Sequence, residues 1–539
     1  MKKILITLAL CVSSVAGFSQ EITLEDVSTR GFSGVQSLNG DYFYTFFFGE
    51  KTENKGMANF ILAIYDKDLK AVKKTEVEIS KNSYLAASCF NGNAFLFIFS
   101  DPIKRKRTTA SFDKTGTIIK LNVEEDVRSR LLMSDNDPVI HGINDNEFLV
   151  IRPEKDKKFG YQVERISKEL VSVYNKSYFP EKGIWSIEDS KLKDGKLFML
   201  RKEKANALTG DKHVFSVQAL SVETGDQLYA TALVNEEDGG YPDFITVDEK
   251  GQVATGGMFF NDGKYDEKNS DGLFFALLNV DGSVSKFSKT SWKKVKDLIT
   301  GDFSTAIFGG KTKVLIEGLI QKKDGTYVIV GETWRKSMDA ASTGSGMMKL
   351  GGLASGSTSL NSMANSKEKG FTVMDFSMFN FDSNGELKSI DRIEKTTKEA
   401  VIKGSLADEK GLAMAQELHK RKFFCYRNLV EANGTQYIMY KNDDGIKTRA
   451  YFLPVGATSA DNIGSIDMDK WVSEGLNKVG KFSKAMSGSG TKYTFEDEGT
   501  FSVSNPELYK NVIPASSGKV LLYHLHGNSL SMWLESIPQ

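Results

Sequence analysis

Cysteine is scarce: 539 residues contain three, and with Cys11 inside an N-terminal leader only Cys89 and Cys425 are left for a mature chain. Neither sits in a C-x-x-C or other metal-ligand spacing, which excludes a disulfide framework and a cysteine-built zinc site. Both lie in apolar surroundings (Ala-Ala-Ser-Cys89-Phe and Phe-Phe-Cys425-Tyr), so two buried thiols are expected rather than one bridge. An excess of either charge is lacking too. Seventy Lys and Arg stand against seventy Asp and Glu, which leaves no electrostatic case for nucleic acid or a polyanionic substrate as main partner. Beyond the leader, no stretch approaches the roughly twenty uninterrupted apolar residues of a membrane-spanning helix. Nine prolines beside 35 Phe and 18 Tyr describe a chain able to bury a large core, not a disordered one.

What is present starts with an export signal. Lys2 and Lys3 give a positive start, Ile4 to Val12 an apolar run, and Ser13 to Ser19 a stretch rich in small residues. The pattern predicts a signal peptide over residues 1–19 and a mature chain from Gln20, with cleavage after Gly17 nearly as suitable. Leu10 is too large to make Cys11 part of a good lipobox. The expected location is therefore the periplasm, the cell surface or the medium.

The mature chain is built on a repeat. At a spacing near fifty residues, a turn containing Gly or Asn leads at once into a run rich in β-branched and aromatic residues. The turns are Asn39-Gly40, Asn91-Gly92, Asn144-Asp145-Asn146, Asp194-Gly195, Lys250-Gly251, Asp324-Gly325, Asn433-Gly434 and Ser517-Gly518. A second series follows most of them, at Asp66-Lys67-Asp68, Asp113-Lys114-Thr115-Gly116, Ser167-Lys168-Glu169, Glu223-Thr224-Gly225, Asp281-Gly282 and Asp382-Ser383-Asn384-Gly385. Gly and Asn recur because tight hairpins need positive φ. Strands such as Phe95 to Phe99, Phe274 to Leu278 and Tyr327 to Val330 are apolar on both faces, which suits sheets sandwiched between sheets. Four-stranded meanders repeated with no helix between them predict an all-β fold, a β-propeller of about seven or eight blades, with six also compatible. Glu21 to Val27 is a spare strand at the start and the last unit offers only three, so the N-terminus is expected to complete the last blade.

The units run longer than common propeller repeats, so a single domain over residues 20–539 must carry insertions. Residues 335–370 read as a long loop rich in Gly, Ser, Ala and Met; residues 408–420 read as a short helix. Residues 469–486 read as a basic amphipathic helix, with Trp471 and Phe482 on its apolar side. The signal ending Phe18-Ser19-Gln20, the strand Asp324 to Thr333 and the strand Phe274 to Gly282 resemble secreted β-propeller-like proteins of Gram-negative bacteria, many uncharacterised. The resemblance implies a fold and no activity.

Chemistry is sparse. His524 and His526 are one residue apart on a predicted strand, so their imidazoles share a face, but no third metal ligand accompanies them. His141, His213 and His419 have no nucleophile motif beside them, and no Gly-x-Ser-x-Gly occurs. Acidic turns at Asp262-Gly263, Asp281-Gly282, Asp382 to Gly385 and Asn442 to Gly445 lack the distal Glu of a calcium loop. Glu332 beside Trp334 is the one carboxylate that suggests a pocket, and Lys104, Arg105, Lys106 and Arg107 form a basic run in a loop. A solvated turn and docking on the protein itself are the favoured readings of that run and of the helix with Trp471 and Phe482; the alternatives are contact with anionic lipid or polysaccharide for the run and with a membrane surface for the helix. These features favour a non-enzymatic binding or scaffolding propeller with no cofactor, whose partner is an envelope protein or glycan. The competing expectation is a carbohydrate-active or other hydrolytic enzyme whose acids come from separate blades and so leave no local motif.

Overall fold

The structure, a computed structural model, describes residues 21–538 apart from 30–31, 39, 53, 55, 126–136, 156–157, 205–212, 234–238, 261–269, 299–311, 338–368, 403–410, 421–422, 444–446, 458–462, 469–491, 496–509 and 517. The predicted signal peptide and the predicted helix 469–486, including Trp471 and Phe482, lie outside these residues.

A lone strand, β1 (Glu21–Leu24), comes first. The first meander is β2 (Val35–Leu38), β3 (Tyr42–Lys51), β4 (Met57–Asp66) and β5 (Ala71–Ser80). The second is β6 (Tyr84–Phe90), β7 (Ala94–Asp101), β8 (Lys106–Asp113) and β9 (Ile118–Glu124). The third is β10 (Val139–Asn144), β11 (Glu147–Lys155), β12 (Phe159–Ser167) and β13 (Ser172–Tyr178). The fourth is β14 (Ile184–Lys193), β15 (Lys196–Lys204), β16 (His213–Ser221) and β17 (Gln227–Ala232). The fifth is β18 (Gly239–Val247), β19 (Val253–Phe260), β20 (Gly272–Leu278) and β21 (Val284–Ser291), followed by the short helix α1 (Trp292–Asp297). The sixth is β22 (Thr312–Gln321), β23 (Tyr327–Ser337), β24 (Lys369–Phe381) and β25 (Leu387–Ile393), widened by β26 (Lys398–Ile402) on β24. Helix α2 (Gly411–Lys420) precedes the seventh, β27 (Tyr426–Ala432), β28 (Thr435–Asp443), β29 (Thr448–Pro454) and β30 (Gly464–Asp467). Strand β31 (Lys492–Phe495) returns to pair in parallel with β26. The eighth sheet is β32 (Lys510–Pro514), β33 (Lys519–His526) and β34 (Ser529–Ser536), with β1 as its fourth strand.

All eight expected turns join a first strand to a second. At Asp194-Gly195 and Asn433-Gly434 both central residues have positive φ (47° and 71°, 50° and 77°), the type I′ geometry whose twist matches the flanking strands. The second series joins third strands to fourth in the first six meanders, and its acids serve the turn itself. Asp382 Oδ1 accepts the N–H groups of Asn384 and Glu386, both at 2.9 Å, and Asp281 Oδ1 accepts that of Ser283 at 2.9 Å. The N-terminal strand lies where it was expected: Glu21 pairs with Trp533 and Leu24 with Leu530, antiparallel.

Packing follows the strand order. The second strands β7 and β19 are buried on both faces, or nearly so, whereas the fourth strands β13 and β17 alternate with solvent. Each core cluster is shared between neighbouring meanders, and the third and fourth are also joined edge to edge by β12 and β14 into one eight-stranded sheet. Phe46 and Phe60 of the first meander meet Phe97 and Phe99 of the second; Leu96 and Ile98 meet Phe148 and Val150 of the third; Leu149 and Val163 meet Leu197 and Met199 of the fourth. Phe215, Phe275 and Phe379 belong to one cluster across the fourth, fifth and sixth. Val330 meets Ile438 of the seventh, Phe452 meets Trp533 of the eighth, and Tyr523 of the eighth meets Phe43 and Phe47 of the first.

Of the expected insertion 335–370, residues 338–368 lie outside the described residues and the edges belong to strands. Arg335 to Ser337 continue β23, and Lys369 and Gly370 begin β24, because the hairpin arms pair beyond the predicted loop edges. Helix α2 (Gly411–Lys420) falls within the helix expected at 408–420, of which 408–410 lie outside the described residues, and its Leu412, Met414, Ala415 and Leu418 are buried. Cys425 is buried and Cys89 partly buried; both are free thiols.

Candidate functional site

In the first strands of the fourth to seventh meanders the ladder slips by one residue at the same place. The shifts fall between Ile187 and Asp189, Pro242 and Phe244, Ile316 and Gly318, and Tyr426 and Asn428. The residues left unpaired are Glu188, Asp243, Glu317 and Arg427, all charged. Opposite each bulge stand residues at one spacing from the turn glycine: Leu200 and Arg201 after Gly195, Gly256 and Gly257 after Gly251, Val330 and Gly331 after Gly325, Met439 and Tyr440 after Gly434. A bulge bends its strand and re-aims the extra side chain, and bulges concentrate beside functional sites. Local sequence permits it. Pro242 has no N–H to give to a ladder and suits a bulge, and Gly318 leaves room for Tyr426, whose Oη would lie 3.3 Å from a Cβ placed there.

Three of the four extra residues are acids from consecutive meanders. Strand β14 packs beside β18, and β18 beside β22, and Asp243 feels the charges of both Glu188 and Glu317. Asp243 keeps some exposure as a residue, but its Oδ2 has no contact with solvent and no hydrogen-bond partner. Burial, then the charge of Glu188, pushes the Asp243 carboxyl up to about 8, so it is largely protonated at neutral pH. Glu317 is 3% exposed, and its Oε1 has no hydrogen-bond partner. Its Oε2 lies 2.7 Å from His419 Nε2 on α2. Lys202 on β15 supplies the counter-charge, with Nζ 2.9 Å from Tyr241 Oη and 3.8 Å from Glu188 Oε1. Burial opposes the Lys202 charge, but Glu188 and Tyr241 outweigh it and hold the ammonium above its ordinary pKa. Asp189 ties the frame together, accepting the Ile245 N–H of β18 at 3.0 Å. Arg427 is spent differently: its Nε donates to Asn511 Oδ1 on β32 at 3.1 Å and its Nη1 to Tyr426 O at 2.9 Å. Unsatisfied buried carboxylate oxygens are costly, and a proton or a ligand donor removes the cost.

The residues singled out in the sequence fall elsewhere, apart from His419. Glu332 on β23 is fully buried, and its oxygens accept the Cys425 N–H at 2.9 and 3.0 Å and the Tyr426 N–H at 3.2 Å. Burial raises its pKa, Lys395 at 3.9 Å notwithstanding, and the carboxylate ties β23 to the entrance of β27. Trp334 is 1% exposed and stacks on Phe371, centroids 5.1 Å apart. In the basic run, Lys104 Nζ donates to Gly56 O at 3.0 Å, Lys106 pairs with Glu125 at 2.6 Å and Arg107 with Glu124 at 3.4 Å, while Arg105 holds the positive-φ position of the turn. His524 and His526 share a face of β33, ring centroids 5.9 Å apart, and the described residues hold no group of three metal-capable side chains. His141 donates to or accepts from Ser190 Oγ at 2.8 Å, and burial lowers its pKa to about 4. Burial likewise lowers His213 to about 3. Glu188, Asp243 and Glu317 were missed, although a lone acid in the apolar run Leu315-Ile316-Glu317-Gly318-Leu319-Ile320 is a legible signal.

Among solved structures, the chain is similar to a prolyl endopeptidase (12% identity, TM-score 0.36), covering 79% of this chain and 47% of that one, so it spans about half of that protein's length. It is also similar to the polysaccharide lyase Uly1 (10% identity, TM-score 0.34, 94% and 90% covered). A third likeness is to the β-propeller domain of the Trilobed protease from Pyrococcus furiosus (10% identity, TM-score 0.28, 55% and 75% covered). No curated protein matches the chain. Residues 1–444 match DUF6770, and the chain belongs to this family of unknown function.

Proposed function

We propose that this chain is an exported β-propeller of eight four-stranded blades that binds a hydrogen-bond-donating ligand, an amine or a polyol, at its bulged first strands. The observation that carries the proposal is that Glu188, Asp243 and Glu317, the extra residues of three successive meanders, lie within electrostatic reach of Asp243, with acceptor oxygens of Asp243 and Glu317 left unpartnered. Core clusters shared between the eighth sheet and both the seventh and the first support a closed ring, as does β1 in the last sheet. In such a ring the first strands face the centre, where loops and channel meet a ligand. The charged start, apolar run and small residues of 1–19 support export, with an envelope protein or glycan as the natural source of the ligand group.

Thermal unfolding of the mature protein against spermidine, a panel of oligosaccharides, calcium, zinc and chelator tests this. A ligand at a hundred times its Kd stabilises by about 2.7 kcal/mol. Stabilisation by an amine or glycan that disappears in E317Q is expected; stabilisation that survives E317Q places the ligand elsewhere. A second reading, hydrolysis, is favoured by Asp243 alone, a protonated acid at neutral pH beside Glu188, which is how an acid and base pair is poised. Product release from an oligosaccharide, abolished in D243N, would move the assignment from binding to catalysis.

A further inference from the structure

A cavity of about 240 Å³ lies between the second and third meanders, lined by residues of strands other than the four bulged ones, and its walls follow from register. On one side, β8 and β9 place Arg107 opposite Glu124 and Thr109 opposite Asn122, all on one face. On the other, β11, β12 and β13 place Arg152 opposite Gln162, and Glu164 opposite both Val150 and Asn175. Towards the first strands, the gap between these faces is filled by Leu96, Ile98, Phe148 and Val150. Farther out it is lined by polar groups.

Its charges are already balanced. Arg152, 8% exposed, pairs with Glu164 on its own sheet and with Glu124 across the gap at 3.1 Å, and Arg107 pairs with Glu124 at 3.4 Å. Two guanidinium groups and two carboxylates cancel, so a charged ligand gains no net field there. Thr109, Asn122, Gln162 and Asn175 also line or border the space, and none makes a side-chain hydrogen bond with another described residue. Their hydroxyl and amide groups offer both donors and acceptors, with Ile98, Val150 and Ile166 as an apolar floor. At about 30 Å³ per water, the space holds roughly eight waters, or one ring of monosaccharide size.

We propose that this cavity is a binding site for a small, uncharged, polyhydroxylated ligand, one sugar or cyclitol unit. Carboxylates held by arginine accept from vicinal hydroxyls, the amides donate and accept at the ring's edge, and the apolar floor takes its C–H face. The site is independent of the bulged strands, and so is its test. Saturation-transfer NMR and calorimetry on the mature protein would use glucose, galactose, mannose, N-acetylglucosamine and myo-inositol, with glucuronate and glucosamine as charged comparators. At least one neutral probe should bind with millimolar or better Kd and at least tenfold more tightly than both comparators. Q162L with N175L, or N122F where that pair unfolds, should weaken it at least tenfold with the melting temperature of the free protein preserved. Failure of every neutral probe, equal binding of the charged ones, or undiminished binding in the folded variant overturns the proposal and leaves the space a solvent-filled gap between splayed sheets.

Discussion

At the scale of single residues, Asp243 gives the folded chain an unusual appetite for a proton. Its carboxyl holds a proton up to about pH 8 when folded, against 3.8 as its ordinary value. Between those limits the folded state binds more protons than the unfolded one, so the contribution of this group is complete below about pH 4 and is lost as pH rises through 8. His141 and His213 act in the opposite sense. Burial holds them near 4 and 3, well below 6.5, so the unfolded chain takes up protons that the folded chain refuses and stability falls as pH drops from 6.5 towards 4. From pH 7 to 8 the Asp243 slope outweighs the residual, opposite slopes of the two histidines, which fade as pH rises from 6.5. Urea unfolding across that interval should show wild-type stability falling by up to about 1.4 kcal/mol per pH unit from this group, and D243N should remove that fall. Equal slopes in the two proteins would mean that Asp243 is ionised in the fold.

At the scale of elements, β1 has a role out of proportion to its four residues. It covers the outer edge of β34, and the segment that follows it sends Val27 N–H to Asn528 O at 2.8 Å. Leu24 and Val27, 4% and 0% exposed, join Tyr523 and Leu530 in the core between the eighth sheet and the first. Two such side chains are worth about 1.5–3 kcal/mol each, so deleting residues 20–30 should lower the melting temperature by many degrees, and an unchanged value would separate β1 from the stability of the last sheet. The placement of β1 was legible because strand count and turn chemistry are local: a positive-φ turn needs Gly or Asn wherever it occurs, seven of the eight first turns have such a residue, and all eight open a four-stranded unit, the third and fourth of which join into one eight-stranded sheet. The second series stops at the sixth meander for equally local reasons. In the seventh sheet β29 and β30 are joined by a longer connection, and in the eighth the fourth strand comes from the other end of the chain. The bulges were not legible, since register belongs to a pair of strands; Pro242-Asp243 and Glu317-Gly318 mark them only once the pairing is known.

At the scale of the molecule, the proposed ring and an open arc of the same sheets differ in what an end means. In a linear array the terminal repeats have one neighbour and fray independently, because stability is a sum of local and nearest-neighbour terms. In a ring the first sheet and the eighth have two neighbours each, and the cluster of Tyr523 with Phe43 and Phe47 is as internal as the contact of Phe99 with Phe46. The sequence left the number of blades between six and eight because insertions of irregular length blur a period; the structure shows eight meanders, two of them in one sheet. Two core truncations far apart in sequence separate ring from arc. F97A opens the core between the first and second meanders, and F452A that between the seventh and eighth; each should cost about 3–5 kcal/mol. Calorimetry on the ring should give one transition in both variants, shifted down in each. Native-state hydrogen exchange in F452A should then show protection lost in β3 and β4 as well as in β28 and β33, since relaxing one interface of a closed circle loosens the sheets on both sides of the seam. Protection lost in the seventh and eighth sheets alone, or a second resolved transition, would establish the arc.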